Sequence, residues 1–102
     1  MGAGGAAMPE FTVVDQPKRH RYEISVDGEV AGFVRYVRHP DHLDLVHTEV
    51  GPAYEGRGVA ARLVAGVLAD VRAAGGRIVP SCPYVAAYLK RHPDQADLVA
   101  AR

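Results

Sequence analysis

Tyr54-Glu55-Gly56-Arg57-Gly58-Val59-Ala60 is the stretch whose reading decides the fold, because it stands between a strand pattern and a helix pattern. Leu45-Val46-His47-Thr48-Glu49-Val50 precedes it and reads as a strand. After it, apolar residues recur at Val59, Leu63, Val67 and Val71, with a parallel row at Ala60, Val64 and Leu68. Both rows advance four residues at a time and predict an amphipathic helix from Gly58 to Ala74, with Arg62, Asp70 and Arg72 toward water. Gly75-Gly76 supplies the left-handed stop. At such a helix start the unpaired amides, the helix dipole and the Arg57 guanidinium together make a candidate anion cradle, and Gly56 and Gly58 let the backbone approach an anion closely. The same glycines equally suit a tight strand-to-helix turn that binds nothing.

Upstream, residues 1–10 are expected to form a flexible lead-in, with structure beginning near Phe11. Thr12-Val13-Val14 and Arg21-Tyr22-Glu23-Ile24-Ser25-Val26 read as strands, and Asp27-Gly28 is a strong hairpin signal leading into Glu29 to Val37. His39-Pro40-Asp41-His42 turns the chain back toward the strand that carries His47. Downstream, Arg77-Ile78-Val79-Pro80 reads as a short strand able to lie beside the strand of His47. Pro83 opens a shorter helix through Lys90 that ends at His92-Pro93. The expected fold class is therefore α/β in the α+β sense. It has a mixed, mostly antiparallel sheet, one long helix after the glycine loop and a short C-terminal helix, all in a single domain over residues 11–102.

Composition narrows the function classes. The chain has 102 residues, with lysine plus arginine equal to aspartate plus glutamate at 12 each, so no global field draws nucleic acid or membrane and any anion must be bound locally. One cysteine, Cys82, allows no internal disulfide and fits a reducing compartment. No apolar run has membrane-spanning length and the first residues lack the pattern of a signal peptide, so a cytoplasmic location is expected. The five histidines lack metal-ligand spacing, and no metal is expected.

The order of strands, glycine loop, long helix, strand and short helix resembles the GNAT superfamily of acetyl-coenzyme A-dependent N-acetyltransferases. Glu55-Gly56-Arg57-Gly58-Val59-Ala60 is similar to the pyrophosphate signature of that superfamily. Gly58 and Ala60 fit it, whereas Glu55 stands where glutamine or arginine is usual, which removes a polar donor and adds a negative charge. His47-Thr48-Glu49-Val50 together with Pro80-Ser81-Cys82-Pro83-Tyr84-Val85 resembles the small, stand-alone branch of predicted acetyltransferases, over roughly Arg21 to Leu98. The resemblance implies that acetyl-CoA lies against Val50 and the run Glu55, Gly56, Arg57, Gly58, Val59 and Ala60. It also implies that an amine of unknown identity, on a small molecule or a protein, accepts the acetyl group. The helices that most members insert between their first two strands are missing here, which implies an open acceptor groove and equally permits a module that only binds coenzyme A. A third reading is a small interaction domain with a decayed cofactor site.

Amine acetylation needs a route for the amine proton and a proton for the departing thiolate. His47 can accept a proton near neutral pH, and Glu49, two residues on, shares its strand face and can assist it or replace it. A histidine hydrogen-bonded on a sheet face is the bland alternative; the resemblance favours the catalytic one. Cys82 either carries the acetyl group covalently or lines the pantetheine pocket, and pocket lining with direct transfer is the expectation. Tyr88 stands where many members of the superfamily carry a tyrosine that protonates the thiolate, and it also has the spacing of an ordinary packing residue.

Overall fold

The alternating segments pair in chain order. In the computed structural model, which describes residues 9–100, β1 (Phe11–Gln16), β2 (Arg21–Val26), β3 (Glu29–Arg38) and β4 (Leu43–Val50) form successive antiparallel pairs. Most of the expected lead-in, residues 1–8, lies outside the described residues, as do residues 101 and 102. Asp27 and Gly28 have φ of 49° and 88°, the positive values that a type I′ turn requires, and this fixes the β2–β3 hairpin. β5 (Ile78–Val79) runs parallel to the start of β4, completing a five-stranded sheet in the order β1-β2-β3-β4-β5.

The long helix α1 (Val59–Ala73) begins one residue later than its periodicity suggests, because Gly58 serves as the N-cap in a left-handed conformation. Its buried side chains are those of the two predicted rows, with Ala60 half-buried: Val59, Leu63, Val64, Val67, Leu68 and Val71. They share one apolar core with Ile24, Val34, Tyr36 and Leu45 of the sheet and with Val85 and Leu89 of α2 (Pro83–Arg91). Asp70 faces solvent as expected and also serves the core. Its carboxylate accepts a hydrogen bond of 2.5 Å from the hydroxyl of buried Tyr22, so a nominally outward residue satisfies a core phenol. A 3-10 turn over Pro93–Leu98, absent from the sequence reading, buries Leu98 and sets Asp97 against Arg72 through two 2.8 Å bonds.

Two local irregularities position the residues of the site. Tyr36 pairs with Leu45 and Arg35 with His47, so Val46 has no partner and forms a β-bulge. Leu43 and Leu45 point into the core; beyond the bulge the faces exchange, and His47 and Glu49 point to the face that carries no helix. Thr48, paired with fully buried Val34, points to the helix-bearing face. The second irregularity is the brevity of β5. It pairs with β4 only at Leu43–Ile78 and Asp44–Val79, and the Cys82 N–H then donates to the Leu45 carbonyl at 2.7 Å. From Val46 to Val50 the outer edge of β4 has no strand beside it among the described residues. On its other edge β3 comes very close: a Cβ at Gly32 would sit 2.5 Å from the Glu49 carbonyl oxygen, so only glycine permits this approach.

Candidate active site

The free edge of β4 leads directly to the glycine loop. A cleft of about 240 Å³ is lined by Val50, Tyr54, Glu55, Gly56, Gly58, Val59, Ala60, Ala61 and Tyr84. The floor of this cleft is the start of α1, and its chemistry comes from the groups left unpaired there. Gly58 caps the helix without a side-chain hydrogen bond, and no acidic residue occupies the first turn. The first helical bond runs from the Arg62 N–H to the Gly58 carbonyl at 3.1 Å, and the amides from Gly56 to Ala61 find no acceptor among the described residues. Gly56 and Gly58 have φ of 79° and 75°, and a Cβ built on either would meet no atom within 4 Å. The glycines are therefore required by conformation, and the space in front of them is open for an anionic ligand.

The remaining residues of the expected cofactor set fall around this cradle. Val59 turns its side chain into the core and offers only its amide, while Ala60 is half-buried at the mouth. Arg57 is exposed, with its guanidinium 5.9 Å from the centre of the Tyr54 ring. The Tyr54 hydroxyl donates to Glu29 at 2.9 Å, tying the loop to the start of β3; that bond, with lesser burial, raises the phenol above its ordinary pKa. Glu55 is exposed and its side chain has no partner among the described residues. A larger open cleft, about 520 Å³, lies at the other end of α1 between Asp70–Arg77 and the turn before β4, and contains none of the expected site residues. Of the two clefts, the smaller one at the helix start is the one lined by residues of the expected cofactor set.

The four candidate catalytic residues divide between the two faces of the sheet. His47 and Glu49 stand together on the helix-free face, with Nε2 of the imidazole 3.2 Å from Oε1 of the carboxylate. Phe33 lies beside them, its ring centre 6.1 Å from that of His47. Cys82 is buried on the helix-bearing face at the N-cap of α2, with Sγ 3.3 Å from the Thr48 hydroxyl. The structure thus pairs His47 with Glu49 and Cys82 with Thr48, and brings neither His47 nor Glu49 into hydrogen-bonding contact with the thiol. Tyr88 packs half-buried on α2, stacked on His92 with ring centres 3.9 Å apart. Burial, followed by the nearby Asp94 carboxylate and Tyr84, raises its phenol above the ordinary value and keeps it a neutral donor.

Thr48 is the residue that pattern reasoning passed over. Between two ionisable neighbours it reads as an ordinary strand residue. Its one signal was its face: alternation places it opposite to His47 and therefore on the side of the pocket that Cys82 was expected to line.

Residues 21–98 match the family described as GCN5-related N-acetyl-transferase. Among solved structures, a GCN5-like protein from Staphylococcus aureus superposes with a TM-score of 0.66 at 18% identity, covering 89% of each chain. The ribosomal-protein-S18-alanine N-acetyltransferase of Escherichia coli gives 0.60 at 14% identity over 84% of this chain and 76% of that one. The ribosomal-protein-alanine N-acetyltransferase of Brucella melitensis gives 0.52 at 20% identity over 80% and 62%. These identities establish likeness of fold. Among curated protein sequences none matches this chain. The family match spans most of the chain and coincides with the strands, cradle and helices described above, and on that ground the chain belongs to the GCN5-related N-acetyl-transferase family.

Proposed function

We propose that this chain is an acetyl-CoA-dependent N-acetyltransferase that moves the acetyl group directly to a primary amine. The observation that carries the reading is the continuity of three features: an uncapped helix start behind two left-handed glycines, a cleft in front of it, and a free strand edge running toward His47. A diphosphate suits the amides from Gly56 to Ala61, with Arg57 able to swing from Tyr54 to add its charge. The unpaired amides and carbonyls of β4 suit the two amide groups of a pantetheine arm, which would lie there as an added strand. Acetyl-CoA supplies the activated acetyl thioester; the chain supplies position and proton transfer.

His47 is suited to take the proton of the amine. Donation from Nε2–H to Glu49 selects the tautomer whose Nδ1 is free to accept, so the carboxylate orients the base. Tyr88 is suited to hold the proton that the departing thiolate needs. Cys82 serves this reading as pocket lining: it is 4% exposed, its sulfur meets a hydroxyl, and no base stands within hydrogen-bonding reach of it. Separation of His47 from Cys82 on opposite faces also suits an acceptor that approaches from the helix-free side while the cosubstrate occupies the other.

Titration calorimetry with acetyl-CoA, coenzyme A and dephosphorylated coenzyme A, followed by coenzyme A release in the presence of primary amines, tests the proposal. Binding together with amine-dependent release is expected. Binding without release under any amine would make the chain a coenzyme A-binding module instead.

A further inference from the structure

Beside His47 and Glu49, the helix-free face carries charges that the transfer chemistry does not use. Across it, Arg21 of β2 pairs in register with Arg35 of β3, and Arg35 pairs with His47 of β4. The adjacent row contains Glu23, Phe33 and Glu49 in register. Every cation here but one has a partner among the described residues. Arg21 bonds to Glu23 at 2.6 and 2.8 Å and lies 4.4 Å over the Phe33 ring, Arg19 reaches the same carboxylate at 3.3 Å, and His47 has Glu49. Arg35 is exposed and meets no carboxylate and no aromatic ring among the described residues.

An arginine in that place is not explained by folding. A half-open strand position favours β-branched or aromatic residues, and like charges directly opposite one another on a sheet repel. Arg35 has Arg21 on one side and an imidazole on the other. Two carboxylates stand on its diagonals, about 7 Å away: Glu23, which Arg19 and Arg21 already engage, and Glu49. Arg35 and Glu49 do not pair with each other, and Phe33, two residues before Arg35 on β3 and opposite Glu49, is the apolar floor beside them. A free positive charge and, on its diagonal, a carboxylate that meets the candidate base share one open face, and together they are the complement of a molecule carrying both charges in reverse.

The geometry points to an acceptor that bears a carboxylate several bonds from its amine, with Arg35 as the specificity-determining residue that binds the carboxylate while Glu49 and His47 receive the amine. The planar guanidinium fork suits a carboxylate bidentately. This inference rests on the acetyltransferase reading for the turnover half of its test, and a binding measurement carries it independently.

The probes are δ-aminovaleric acid and its carboxamide, which share the amine and differ by one negative charge. Coenzyme A release should show kcat/KM at least tenfold higher for the acid. Arg35→Gln should lower the value for the acid to that of the carboxamide, chiefly through KM, and Arg35→Lys should restore part of the advantage. Equal values for the two probes in the wild type, or an undiminished preference in Arg35→Gln, would overturn the inference. In parallel, nitrogen and proton shifts of the Arg35 guanidinium and the His47 ring are followed by NMR without acetyl-CoA. If no amine is turned over, the enzymatic reading fails, and these shifts decide alone. Movement with the acid that is lost in Arg35→Gln and absent with the carboxamide supports the anion site. No movement with either probe overturns it.

Discussion

The Thr48 hydroxyl lies 3.3 Å from the Cys82 sulfur, joining β4 to the start of α2 across the point where the sheet splits. This contact gives a buried thiol a polar partner, and in the proposed reaction Cys82 is a lining residue. Incubation with acetyl-CoA alone should leave Cys82 unmodified by mass spectrometry, and Cys82→Ala should keep turnover within several-fold. An acetyl-cysteine formed at a rate that matches turnover would reverse this assignment and require ping-pong kinetics.

His47 and Glu49 act as a pair in the proposed reaction, with different expected costs. His47→Ala should reduce turnover by roughly a hundredfold or more, the scale of losing a general base, while acetyl-CoA affinity changes little. Glu49→Gln keeps a hydrogen-bonding partner for Nε2 but loses the charge, so a smaller fall is expected. Parallel calorimetry and steady-state kinetics on both variants check this; an equal loss of cosubstrate affinity in His47→Ala would move the residue out of the proton-transfer role.

Gly58 separates conformation from ligand binding. At φ of 75° a β-branched residue is strained by about 1–2 kcal/mol, whereas asparagine tolerates the left-handed region. Gly58→Val should therefore melt lower and lose acetyl-CoA binding. Gly58→Asn should melt near the wild type and still bind at least tenfold more weakly, because its side chain enters the open space before the amides. Thermal melts with calorimetry distinguish the two effects, and a folded Gly58→Asn with undiminished affinity would remove the cradle from the cofactor site.

The Tyr22 phenol is held well above its ordinary pKa by burial first, and then by its hydrogen bond to Asp70. A raised pKa in the folded state means that the unfolded chain releases this proton first as pH rises. The stabilisation is complete below the ordinary tyrosine value near 10 and is lost progressively above it. Tyr22→Phe should lower stability at neutral pH by about 1.5–3 kcal/mol, the worth of a hydrogen bond to a charged group. It should also flatten the fall in stability above pH 10, as read by urea unfolding across an alkaline series.

Most of the architecture was legible because its signals were local. Asp27-Gly28 announces its turn, the four-residue steps from Val59 to Val71 announce α1, and Pro83 announces the start of α2. The shared face of His47 and Glu49 followed from strand period. What stayed hidden depends on pairing between segments. Nothing in Leu45-Val46-His47 marks a bulge, since Val46 becomes unpaired only through its register with Arg35 and Tyr36. The need for glycine at position 32 arises from the backbone of Glu49 on another strand, and the Thr48–Cys82 contact spans 34 residues. The turn over Pro93–Leu98 was missed because one buried leucine in a polar hexapeptide has no period to read.

The unpaired Val46 also bears on how such a chain can change over generations. Upstream of it, Leu43 and Leu45 of β4 belong to the core; downstream, His47 and Glu49 lie outside that cluster, as does Arg35 across from them. Under the proposed function, substitutions at these outward positions would alter which acceptor is chosen without repacking the interior, so substrate preference would be free to diverge among descendants that keep the same scaffold and cradle. Loss of the single residue Val46 would do the opposite, bringing a carboxylate and an imidazole inward and turning Thr48 out, and lineages should tolerate replacement at this position far better than deletion.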